Sequence, residues 1–155
     1  MNALTPDTLI RNPQGCTVTA CVDINADADK VWQMVGNFAG FHHFIPALER
    51  IEMTGTGVRS VRKKFFKDGE NIVIEQLNSH DDQQRRMTWS LIYTTLNIGN
   101  LWASMEVHKT GQGAQAVWTI QGEPWEGGPE ALPGFQAFLQ EFADGAMNNV
   151  RNLFA

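Results

Sequence analysis

An arginine, a lysine and a glutamate bracket the dipeptide Asp68-Gly69 in this chain. Asp-Gly between two strand-like runs is a strong signal for a two-residue hairpin turn. Such a turn sets the register of its arms. Lys67 faces Glu70, Phe66 faces Asn71, Lys64 faces Val73, and Arg62 stands directly opposite Glu75. A guanidinium and a carboxylate so placed can orient a polar group on an otherwise apolar ligand. They can equally make an ordinary cross-strand ion pair, worth about 0.2–1 kcal/mol when exposed. Pattern leaves the face open: Arg62, Lys64, Phe66, Val73, Glu75 and Leu77 are no more polar as a set than Val61, Lys63, Phe65, Ile72, Ile74 and Gln76.

Other chemistry is thinly supplied. His42-His43 beside Phe44 invites a metal or acid–base role, but neighbouring histidines do not readily face one site. No HExxH, HxH or paired-cysteine spacing accompanies them, so no metal or cofactor is expected. Neither a G-x-S-x-G elbow nor a cysteine with matching histidine and acid is present. Gly55-Thr56-Gly57 is a hairpin turn with no helix after it to cradle a phosphate. Cys16 and Cys21 are five residues apart on a strand-like run and point to opposite faces, which disfavours a bridge.

The 155 residues suit one domain, and 43 % hydrophobic with 19 % charged residues is an ordinary globular composition. The formal charge of −5 argues against nucleic acid as the main partner. No run is long and apolar enough to span a bilayer, and the first residues lack the layout of a secretory signal. A reducing cytoplasm is therefore the expected location.

These side chains need elements to hold them. Residues 1–15 read as an arm. Cys16 to Ile24 alternates as a half-buried strand with Val18, Ala20, Val22 and Ile24 on one face. A short helix from Ala28 to about Gly36 follows, capped by Asn25 or Asp27, then a second short piece from Phe38 that ends before Pro46. Six strands succeed one another: Leu48–Met53, Val58–Lys67, Glu70–His80, Arg85–Thr94, one opening at Leu101, and Ala114–Glu123. The last element is a long helix, Pro133 to Phe154, with Phe135, Phe138, Phe142, Ala146, Asn149 and Leu153 on its apolar face. One curved antiparallel sheet wrapped on that helix covers both apolar faces, an α+β arrangement. Asn149 is the odd member of the stripe and must find a hydrogen bond if buried.

The run Val31-Trp32, Phe38, His43-Phe44-Ile45-Pro46, Val61-Arg62, Asp68-Gly69, Ile74-Glu75-Gln76-Leu77 and Asp81-Asp82, closing on Asn149 and Asn152-Leu153, resembles the polyketide cyclase/dehydrase branch of the START-like (SRPBCC) superfamily. Bacterial members are most similar; plant abscisic-acid receptors and birch-pollen-type allergens are more distant. The resemblance spans residues 16–154, within a domain of 16–155. It implies a helix-grip fold: a seven-stranded curved antiparallel sheet on a long C-terminal helix, with two short helices after the first strand. It also implies a cavity for a small hydrophobic or amphipathic molecule. The corresponding function is binding or carriage of that molecule, with no integral membrane partner. The alternative is a cyclase/aromatase catalysing intramolecular aldol condensation and dehydration, in which Glu75 acts as base, directly or through water, and Arg62 polarises a carbonyl.

In the receptor branch the arginine and glutamate matching Arg62 and Glu75 belong to the ligand cavity or its mouth, which places this pair there by resemblance. Lys64 shares their strand face and is positioned to meet an anionic end. Trp89, Leu91, Leu101 and Ala103 lie on the apolar faces of their strands and, with Phe142, Ala146 and Asn149, are expected to form the wall. His43 and Phe44 are expected at the mouth. The chain departs from the receptors in three places. Their long gating loop is reduced to Lys67–Glu70, their carboxylate-anchoring lysine has no counterpart near Gly40, and their pocket tyrosine and serine are matched by Leu101 and Ala103.

Overall fold

The computed structural model describes residues 15–155, so the arm expected at 1–15 lies, but for Gly15, outside the described residues. In chain order the elements are β1 (Cys16–Ile24), α1 (Ala28–Val35), a 3-10 turn (Phe41–His43), β2 (Leu48–Thr54), β3 (Val61–Phe66), β4 (Ile72–Asp81), β5 (Arg86–Thr94), β6 (Asn100–Thr110), β7 (Gly113–Glu123), a second 3-10 turn (Gly128–Ala131) and α2 (Leu132–Leu153). The seven strands form one sheet in the order β1-β7-β6-β5-β4-β3-β2. Every pair is antiparallel. β2 to β7 run as a meander, and β7 closes onto β1. The expected α+β helix-grip architecture is the one observed.

Local chemistry accounts for the joints. The Asp27 side chain accepts from the Asp29 amide at 2.9 Å and starts α1. At the β3–β4 turn Gly69 takes a φ of 75°, and one Asp68 oxygen accepts from the Glu70 and Asn71 amides at 2.8 and 2.9 Å. That turn delivers the anticipated register, with Arg62 opposite Glu75 and Lys64 opposite Val73. The face left open by pattern is now settled: Arg62, Lys64, Val73, Glu75 and Leu77 are buried on the concave side.

The apolar face of α2 is corrected. Phe135, Leu139, Ala143, Ala146, Met147 and Val150 are its buried residues. Phe138 and Leu153, expected on the apolar face, are 51 % and 53 % exposed. At 100° per residue the buried stripe is rotated by roughly 70° from the aromatic one. The cause is size. Ala143 and Ala146 let the helix backbone settle against β1 and β7, while Phe138 and Phe142 are turned to the flank, over the open half of the sheet. That flank overhangs a hollow.

Candidate functional site

Between the concave face of β3–β7 and α2 lies a cavity of about 310 Å³. Its walls are apolar: Val73, Trp89, Leu91, Leu101, Trp118 and Ile120 from the sheet, Leu139, Phe138 and Phe142 from the helix, and Leu96 and Ile98 from the β5–β6 loop. Ala47 and Phe66 complete the apolar lining, and its polar groups are Lys64, Glu75, Asp68 and Asn71. A second hollow of about 210 Å³ lies further along α2, bounded by Phe44, Ile45, Pro46, Ala47, Glu141, Phe142, Gly145, Ala146 and Asn149. Phe142 and Ala47 border both.

The charged cluster is built from two neighbouring strands. Arg62 Nε donates to Glu75 Oε1 at 2.9 Å, and Arg62 Nη2 and Lys64 Nζ each stand 2.9 Å from the same oxygen. Arg62 Nη1 donates to the Phe38 carbonyl at 2.9 Å. The guanidinium lies 3.9 Å from the ring centre of Phe38 and 4.1 Å from that of Phe41, with Trp89 at 5.1 Å. Such cation–π packing suits an arginine, whose planar cation is weakly hydrated. The Arg62 side chain is 0 % exposed, and Glu75 and Lys64 are 4 % and 7 % exposed.

Burial and charge compete at each group. Burial alone would raise the Glu75 carboxyl, but Lys64 and Arg62 outweigh it and hold the group below its ordinary value, hence ionised. Burial draws Lys64 down, opposed by Glu75 and reinforced by Arg62. Arg62 is likewise lowered by burial against the pull of Glu75, and remains a cation. The linkage has one sign. A carboxylate with a depressed folded pKa stabilises the protein above its unfolded pKa, about 4.3, and loses that contribution as pH falls through the folded value. Melting temperatures of the wild type should therefore fall below about pH 4 more steeply than those of the triple variant Arg62→Met, Lys64→Met, Glu75→Leu. A difference between the two that is constant from pH 7 to pH 3 would remove Glu75 from the acid response.

Of the residues singled out from sequence, Lys64, Glu75, Trp89, Leu91, Leu101 and Phe142 border the larger cavity. Phe44, Ala146 and Asn149 border the smaller one instead. Arg62 borders neither: it lies beneath Glu75, sealed by Phe38 and Phe41. Ala103 is fully buried opposite Trp89 and is plain core. His43 is corrected most. It is exposed, its ring tilted against that of His42 with centres 4.2 Å apart, and borders neither hollow, because the 3-10 turn points Phe41 and Phe44 inward in its place. Asn149, the amide on the stripe, already has a partner: its Nδ2 donates to the Phe44 carbonyl at 3.1 Å. Sequence reading missed Trp118 and Ile120, although Ala114, Ala116, Trp118 and Ile120 alternate on β7. Leu96 and Ile98 gave no periodic signal, because they lie between β5 and β6.

A curved sheet gripping one long helix around an apolar hollow defines the START-like (SRPBCC) class of proteins. Within that class the chain belongs to the family described as polyketide cyclase/dehydrase and lipid transport, whose pattern it matches over residues 15–154. No curated protein matches the sequence. An uncharacterized protein of Bacillus thuringiensis superposes with a TM-score of 0.77 at 20 % identity, covering 90 % of this chain and 98 % of that one. The Zhui aromatase/cyclase of a Streptomyces species gives 0.75 at 16 % identity, with 89 % and 92 % covered. A major latex-like protein of Panax ginseng gives 0.73 at 16 %, with 91 % and 98 % covered. At these identities the likeness is one of fold. Among the described residues no helix is long and apolar enough to cross a membrane.

Proposed function

We propose that this protein binds and carries a small apolar or amphipathic molecule, its apolar body in the larger cavity and its one polar end toward Lys64 and Glu75. The observation that carries this is a hollow of about 310 Å³ whose wall is apolar except for a polar edge. The family description, polyketide cyclase/dehydrase and lipid transport, is consistent with such an occupant. Against aldol catalysis by Glu75 stands its environment. A carboxylate sharing one oxygen among three cationic N–H groups, with a depressed pKa, is a poor proton acceptor at neutral pH.

Native mass spectrometry of the purified protein should show a fraction heavier than the bare chain, and organic extraction should release the added mass. Leu101→Trp, which fills the hollow from β6, should abolish that fraction and weaken binding of the neutral dye N-phenylnaphthylamine by at least about tenfold, with the fold retained. Wild-type protein that carries no added mass and does not bind the dye would end the carrier reading.

A further inference from the structure

The charged cluster does not balance. Arg62 and Lys64 bring two positive charges to one carboxylate, and all three groups meet at a single oxygen. Arg62 is turned away from the cavity, its buried Nη2 making an ion contact with Glu75 Oε1 but no hydrogen bond. It is spent on Glu75 and the Phe38 carbonyl, and Phe38 and Phe41 cover its ring-facing surface. Arg62 and Glu75 thus form a closed neutral pair. Lys64 is the charge in excess, and it is the cation of the cluster that borders the cavity.

The remaining carboxylate on the lining does not neutralise it. Asp68 is exposed and occupied by the Glu70 and Asn71 amides and the Asn71 side chain. It makes no ion pair with Lys64 among the described residues, where the ammonium's partner is Glu75. One contact leaves an ammonium with further N–H groups to place. While solvent reaches the cavity those donors can be hydrated. A wholly neutral apolar occupant would strip that hydration and leave an uncompensated cation in a medium of low polarity, which is strongly unfavourable. An anionic oxygen would replace it with a short charge-assisted hydrogen bond and bring the cluster to zero net charge.

Taking the cavity reading above as its basis, we infer that the occupant is an organic acid ionised at neutral pH, its anionic oxygen bound to Lys64 Nζ and its apolar body against Trp89, Leu91, Leu101 and Trp118. Neutral molecules of the same shape are the disfavoured competitors. Selectivity then rests on one side chain. Lys64 supplies it, and Arg62 and Glu75 position that side chain from below.

Displacement of N-phenylnaphthylamine by decanoate and by decanol, at neutral pH on the full chain, tests this. Decanoate is expected to bind the wild type about tenfold to a hundredfold more tightly than decanol. Lys64→Met leaves the neutral Arg62–Glu75 pair in place and should still fold, while its two affinities converge to within about threefold. Lys64→Arg, which keeps the charge, should retain the preference for the acid and guards against a general loss of packing. Equal affinities in the wild type, with the dye bound normally, would overturn the acid assignment and leave the carrier reading standing. Undiminished preference in Lys64→Met would also overturn it. A wild type that binds neither the dye nor, by calorimetric titration, decanoate would overturn both.

Discussion

Glu75→Leu is expected to destabilise the domain by about 3–5 kcal/mol, the cost of leaving buried charges without their partner. The side chain removed is 4 % exposed and its one oxygen pairs with Arg62 and Lys64 together. Without it, two cations face each other on adjacent positions of β3's buried side, and only the Phe38 carbonyl still accepts from Arg62. At this chain length the loss corresponds to about 10 °C or more in melting temperature. Replacing all three charges by Met, Met and Leu should instead be near neutral or stabilising, because no charge is then buried and the aliphatic chains fill the same space. The contrast between the single and the triple variant, measured by thermal and urea unfolding, is the decisive observation. A Glu75→Leu protein melting within about 2 °C of the wild type would show that the cluster carries no buried charge worth the name.

That expectation changes how the pair should be probed. Loss of binding or turnover on altering Glu75 says little by itself, since the carboxylate also holds β3 to β4 and, through Arg62, fastens the Phe38–Phe41 segment to the sheet. Lys64 is the informative position. It borders the hollow, and removing it improves the charge balance of what stays behind.

Much of this architecture was legible because it is local. Alternation gave β1 its buried Val18, Ala20, Val22 and Ile24, and Asp68-Gly69 gave the register that pairs Arg62 with Glu75. The side of the sheet on which that pair falls was not local. It is decided by Phe38 and Phe41, more than twenty residues upstream of Arg62, whose rings form the bed for the guanidinium. The phase of α2 failed for a related reason. Bulky Phe138 and Leu153 look like core in a pattern of hydrophobicity, but close approach to β1 selects small Ala143 and Ala146 for the contact. Bulk and burial part company wherever a hollow must be overhung instead of filled.

Phe142 sits where that distinction has its largest consequence for binding. Its ring packs edge-on to Trp118 at 6.0 Å and stacks near Phe138 at 6.5 Å, and it borders both the 310 Å³ cavity and the 210 Å³ hollow beyond. It therefore acts as the partition between them. Phe142→Ala, alanine being the strongest helix former, is expected to join the two spaces and extend the apolar channel toward Phe44 and Ala146. Each methylene newly buried is worth about 0.8 kcal/mol, or about fourfold in affinity, so three added carbons are worth about sixtyfold. Across a series of straight-chain acids, wild-type affinity should rise with length and then level off once the first cavity is full. In Phe142→Ala the rise should continue for roughly three more carbons before levelling, at some expense for the shortest acids, which lose the contact with the ring. Calorimetric titration of both proteins over the series reads this directly. A plateau at the same chain length in both would mean that the second hollow stays closed by something other than Phe142, with Ala47 as the next wall to alter.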